Sequence, residues 1–93
     1  METTIDFLER LRTRLDTGSG CSDYKLAKVL QVSTGGMANY IKHGRSMDDE
    51  IAIRVAELLD LNPGYVVACC HAERSKTVET TKVWEALAAQ FAA

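Results

Sequence analysis

The chain is poor in the residues that most often carry catalysis. It has one proline, three cysteines and two histidines in 93 residues. His43 and His71 are the only side chains whose ordinary ionisation lies near neutral pH. There is no dinucleotide fingerprint, P-loop, zincin motif or Ser/His/Asp order. His71-Ala72-Glu73 matches the His-x-Glu of zinc deaminases. The Pro-Cys-x-x-Cys that must follow is missing, because both neighbouring cysteines come before it. An enzyme is therefore not expected. The cysteine count is odd and Cys69 and Cys70 are adjacent, so in a reducing compartment they behave as small buried hydrophobes. Cys69, Cys70 and His71 would point in three directions on a helix and could not close one tetrahedral metal site. No metal, cofactor or small-molecule substrate is expected.

Long apolar runs are missing too. None approaches the ~20 residues of a membrane span. The opening METTIDFLERLR lacks a basic region followed by an apolar block, as a signal peptide would have. A cytosolic protein with no membrane partner is expected. There is no low-complexity segment, and the length suits one domain, residues 1–93, that closes a core without metal or disulfides.

One further absence is local. From Tyr24 to Arg45 there is no acid, while Lys25, Lys28, Lys42 and Arg45 all fall there. From Ser46 to Asp60 the balance reverses, with Asp48, Asp49, Glu50, Glu57 and Asp60 against Arg54 alone. The net charge of −2 argues against a non-specific nucleic-acid binder. The distribution instead suggests a localised phosphate-binding face.

What is present is helical periodicity. Ile5, Leu8, Leu11 and Leu15 predict a first helix from Ile5 to about Leu15, capped by Thr3 or Thr4. Thr17-Gly18-Ser19-Gly20 forms a loop. Asp23 to Gln31 and Thr34 to about His43 read as two short helices, capped by Ser22 and Ser33. Ala27 sits where the second must cross the first closely, and Val32 and Met37 would fix a steep angle between them. Ile51, Val55, Leu58 and Leu59 mark a helix over Asp48 to Asp60. Pro63 opens a fifth, to about Arg74. Trp84, Leu87, Ala88 and Phe91 mark a sixth over residues 78–92.

The segment 22–45, with YKLAKVLQVSTGGMANYIKHGR inside it, has the spacing of a helix-turn-helix. It resembles the DNA-binding segment of the small phage repressors of the lambda Cro and repressor superfamily. Two departures are visible. Gln31 stands where that family usually has glycine, and Gly44 falls one residue later than is common. IAIRVAELLDLNPGYVVACCHAERSK also resembles a subgroup of phage-related regulators, so the likeness covers most of the chain.

That resemblance implies an all-α fold of five to six helices around a helix-turn-helix, lambda-repressor-like, with a C-terminal helical extension. It implies a transcriptional regulator, a phage or prophage repressor, that binds a palindromic operator in double-stranded DNA as a homodimer. Ser33, Thr34 and Asn39 are the candidates for reading bases, since asparagine can pair bidentately with adenine. Gly35 and Gly36 would let the backbone approach DNA. Ser22, Tyr24, Lys25, Lys28, Tyr40, Lys42, His43 and Arg45 are candidates for contacts with the phosphate backbone, with Tyr40 alternatively half core. Val83, Trp84, Leu87, Ala88 and Phe91 are expected to form the dimer surface; the alternative for this stripe is that it folds back onto helix one as core and the protein is a monomer. The alternative is a protein-interaction module that kept the fold and lost DNA binding, which the acidic net charge favours.

Overall fold

The computed structural model describes residues 1–92, folded into six α-helices: α1 (Thr4–Leu15), α2 (Asp23–Leu30), α3 (Thr34–His43), α4 (Asp49–Leu59), α5 (Pro63–Arg74) and α6 (Val78–Phe91). No strand occurs among the described residues. The all-α expectation holds, and every helix starts and stops within two residues of its sequence-based bounds.

The starts are set by side chains. Thr3, Ser22, Ser33, Asp48, Asn62 and Thr77 each accept a hydrogen bond from a backbone N–H in the first turn. Such caps contribute about 1 kcal/mol each, because those N–H groups have no partner inside the helix. At Thr3 the cap is reciprocal, with Asp6 accepting from the Thr3 backbone at 2.9 Å.

The stops of α2 and α4 share one device. Gln31 and Asp60 take left-handed backbone conformations, with φ of 58° and 55°. The next residues, Val32 and Leu61, turn their N–H groups back to Ala27 and Ala56, each at 2.9 Å. Both then pack against the core. The two bends cost about 1 kcal/mol or more each without glycine. The back-bonds and half-buried apolar groups of these Schellman-type ends offset that cost.

The core draws on all six helices. Phe7, Leu8, Leu11, Leu26, Leu30, Met37, Met47, Val55, Val66, Cys69 and Cys70 are all but inaccessible to solvent, as is Ala88 of α6. In α1 the inward stripe is Thr4, Phe7, Leu8 and Leu11, with Leu15 half-buried. Ile5 lies outside it and is exposed. The inward spacing starts not at Ile5 but one residue earlier, on a threonine.

The stripe of the last helix, α6, packs within the chain. The helix lies against α5, joined by the short connection Ser75–Thr77. Its aromatic stripe is satisfied within the chain. Ala88 is fully buried, and Trp84 and Leu87 pack against the core. The Trp84 ring stacks on His71, with centroids 4.2 Å apart and planes at 22°. Phe91 covers Gly64, where an added Cβ would come within 3.0 Å of the ring. Of the residues expected to meet a second copy, Val83 (58% exposed) and Phe91 (42%) face solvent most, Trp84 and Leu87 are half-buried, and Ala88 is closed off. The physical reason is that α5 buries Val66, Ala68, Cys69, Cys70 and Ala72, more apolar surface than one neighbour covers, and both α4 and α6 pack on it. Among the described residues no helix is long and apolar enough to cross a membrane.

Candidate nucleic-acid interface

Helices α2 and α3 are joined by three residues, Gln31, Val32 and Ser33. Ala27 and Met37 are buried where the two helices meet, and Val32 is half-buried in the connection. With 100° between successive residues, the buried Met37 and Tyr40 place the inner face of α3. Gly35, Asn39 and Lys42 then form the opposite crest.

The thirteen sequence-based candidates separate into two groups. Four have structural tasks. The Ser22 hydroxyl accepts from the Lys25 N–H at 3.2 Å, and the Ser33 hydroxyl from the Gly36 N–H at 2.9 Å. Lys25 donates from Nζ to the Leu15 carbonyl at 3.0 Å and so closes the end of α1. Tyr40 is buried, and burial together with Asp48 raises its phenol above the usual ionisation range. Both serine hydroxyls keep a hydrogen free to donate, but their positions are set by the caps.

The other group is turned outward. Tyr24, Lys28, Thr34, Gly35, Lys42, His43 and Arg45 are exposed. Gly36 and Asn39 are half-exposed. The side chains of Thr34, Asn39, Lys42, His43 and Arg45 make no hydrogen bond or ion pair among the described residues, and no buried side-chain polar atom lacks a partner. The Asn39 amide is therefore open to solvent and free to bond elsewhere.

Charge follows the same division. Arg10 pairs with Glu2 at 2.7 Å, Arg12 with Asp23 at 2.7 Å, and Arg14 with Asp60 at 2.7 Å. Arg54 pairs with Glu50 at 3.0 Å and Arg74 with Asp49 at 3.4 Å. The Glu2 and Asp23 carboxylates hold the Arg10 and Arg12 guanidinium groups still more firmly protonated than usual. Lys25, Lys28, Lys42 and Arg45, in the acid-free segment, have no carboxylate partner among the described residues; Lys76 and Lys82, near the start of α6, are the others. The positive charge left without an internal partner is thus concentrated on α2, α3 and the loop that follows.

That loop is held by a polar network that local sequence does not reveal. Thr4 is the one buried polar residue among those described, at 1% exposure. Its N–H and hydroxyl donate to Glu73 Oε1 at 2.9 and 2.8 Å, and its Oγ1 accepts from the Met47 N–H at 3.0 Å. Arg74 donates to the Met47 carbonyl. Residues far apart in the chain therefore clamp the segment that carries Arg45. A cleft of about 360 Å³ runs beside α3, with Gly36, Asn39 and Tyr40 on one wall and Arg45, Ser46, Asp48, Asp49 and Arg74 on the other. Its acids are engaged: Asp48 caps α4 through the Ile51 N–H at 3.0 Å, and Asp49 also accepts from His71 at 2.9 Å.

Cys69 and Cys70 are fully buried, and burial raises both thiols, Cys70 to about 12. They are inert hydrophobes at neutral pH. No group of three or more His, Cys, Asp or Glu among the described residues is gathered closely enough to hold a metal ion. No family model matches the chain, and comparison with curated proteins and with solved structures finds no significant match.

Proposed function

We propose that the protein is a sequence-specific DNA-binding regulator of transcription, in which α2, the connection and α3 act as a helix-turn-helix. One observation carries this most directly: the outward face of α3 and its flanks hold polar and cationic groups without internal partners, beside a crest with a bare glycine. In this reading α3 lies in the major groove and α2 crosses the backbone. Asn39 reads a base edge, with Thr34 beside it. Lys28, Lys42, His43, Arg45 and Tyr24 meet phosphates, which fix register without reading sequence. The resemblance to the lambda Cro and repressor superfamily supports this assignment and makes a phage or prophage repressor in the cytoplasm the preferred biological setting. No catalytic or cofactor role is assigned.

A single α3 reads only a few base pairs, so two copies on a palindromic operator are proposed, about one DNA turn apart, roughly 34 Å. With Trp84, Leu87 and Ala88 used inside the chain, the pairing surface on α6 is reduced to its outer side around Val83. The second reading, a protein-interaction module, is favoured by Asp48 and Asp49 standing in the cleft next to α3.

Selection of bound sequences from a random duplex library separates the two. An enriched palindromic motif supports the regulator. Absence of any enrichment, with binding no tighter than to random duplex, supports the interaction module.

A further inference from the structure

The exposed half of α3 contains one apolar side chain, Ala38. It is half-exposed, and it belongs neither to the buried core nor to the partly buried apolar residues packed against it. Its methyl group therefore has no packing role comparable to those of Met37 or Ile41. By helical geometry Thr34, Ala38 and Lys42 form a row at four-residue spacing, next to the Gly35–Asn39–Lys42 crest. Ala38 thus stands beside the free amide of Asn39.

Gly35 matters for how close this row can come to a ligand. A Cβ on Gly35 would have only Ser33 Oγ nearby, at 3.9 Å, so nothing inside the protein requires glycine there. The backbone at Gly35 is ordinary helix, with no positive φ. A glycine inside a helix costs about 1 kcal/mol relative to alanine. Its absent side chain leaves the first turn of α3 low, so that the next outward groups, at Ala38 and Asn39, can reach the floor of a groove.

A methyl group has no donor or acceptor. In the major groove the one group it can complement is the 5-methyl of thymine. We infer that Ala38 is a specificity-determining residue that selects thymine through its 5-methyl group, in the base pair adjacent to the one met by Asn39. This rests on the proposal that α3 lies in the major groove.

The test begins with the motif obtained by library selection. Each thymine of a half-site is replaced in turn by deoxyuridine, which removes the methyl and leaves the hydrogen-bonding edge unchanged. Wild-type protein should lose about fourfold in affinity at one position, the worth of roughly one buried methyl group, about 0.8 kcal/mol. In Ala38→Gly the ratio of thymine to uracil affinity at that position should fall to about one. Taking the ratio within each variant cancels any general weakening from a less stable helix, and Ala38→Ser gives a second variant that keeps the helix. A uracil scan that is flat on an enriched motif overturns the role of Ala38 alone. A uracil penalty that persists undiminished in both variants does the same. Failure to enrich any motif overturns the base-reading role of α3, and the Ala38 inference with it.

Discussion

Gly35 and Gly36 are neighbours with different reasons to be glycine. At Gly36 an added Cβ would lie 3.2 Å from the Ser33 hydroxyl and crowd the cap of α3. At Gly35 it would meet open space apart from that hydroxyl at 3.9 Å. Gly35→Ala should therefore raise the stability of the free protein by up to about 1 kcal/mol, read as a higher thermal midpoint. The same substitution should weaken binding to the selected duplex at least several-fold. A variant that is more stable and binds equally well would remove the close-approach role. Cys70 gives a second residue-scale prediction. Its thiol ionises near 9.0 when unfolded and near about 12 when buried. Between those values the folded chain keeps a proton that the unfolded chain has lost, so stability falls as pH rises from about 9 and the loss is complete by about 12. Burial pushes Cys69, Tyr40 and Tyr65 in the same direction. Denaturant midpoints measured across pH 8 to 11 should decline, and less steeply in Cys70→Ala than in wild type. A flat profile would contradict the buried environment of this thiol.

At the scale of the element, the two helices of the proposed motif have separable tasks. Asn39 has a free amide on the crest of α3, whereas Lys28 is an exposed, unpaired cation on α2. Asn39→Ala should reduce the ratio of specific to random affinity by ~1–3 kcal/mol of discrimination. Lys28→Ala should weaken all duplexes alike and make the slope of log affinity against log salt shallower by about 1. Competition binding at several salt concentrations reads both, and an unchanged discrimination ratio in Asn39→Ala would sink the base-reading role. The elements themselves were legible because their signals are local. Caps such as Ser22 and Ser33, Pro63 at the first position of α5, and apolar spacing set the helix limits within two residues. What was not legible was long-range. The Thr4–Glu73 and Arg74–Met47 bonds that hold the loop carrying Arg45 join residues with no shared local pattern. Lys25 also reads as a phosphate ligand in sequence, because its charge is visible there while the Leu15 carbonyl it meets is not; Tyr40 carries two readings, phosphate contact and core, and it is buried.

For the molecule as a whole, α6 carries a stripe with two readings from sequence, its own core or a second copy. Its periodic stripe was plain, but periodicity fixes which residues share a face and not what that face covers. Here it covers α5, through Trp84 on His71 and Phe91 on Gly64. Trp84→Ala should therefore destabilise the fold by about 2 kcal/mol, less than the ~3–5 kcal/mol of a fully buried aromatic because Trp84 is half-buried. Below its lowered melting temperature the variant should bind DNA like wild type, because α6 lies on α5 and away from the α3 crest. Intact stability in Trp84→Ala would mean that the stripe serves another partner. The most direct test of the central claim is a titration of isotopically labelled protein with the selected duplex, followed by backbone amide chemical shifts. The account predicts the largest changes across Thr34 to Arg45 and around Lys28, with the outer sides of α4 and α6 little affected. Changes centred on the acidic α4 surface or on α6, with Thr34 to Lys42 undisturbed, would contradict it.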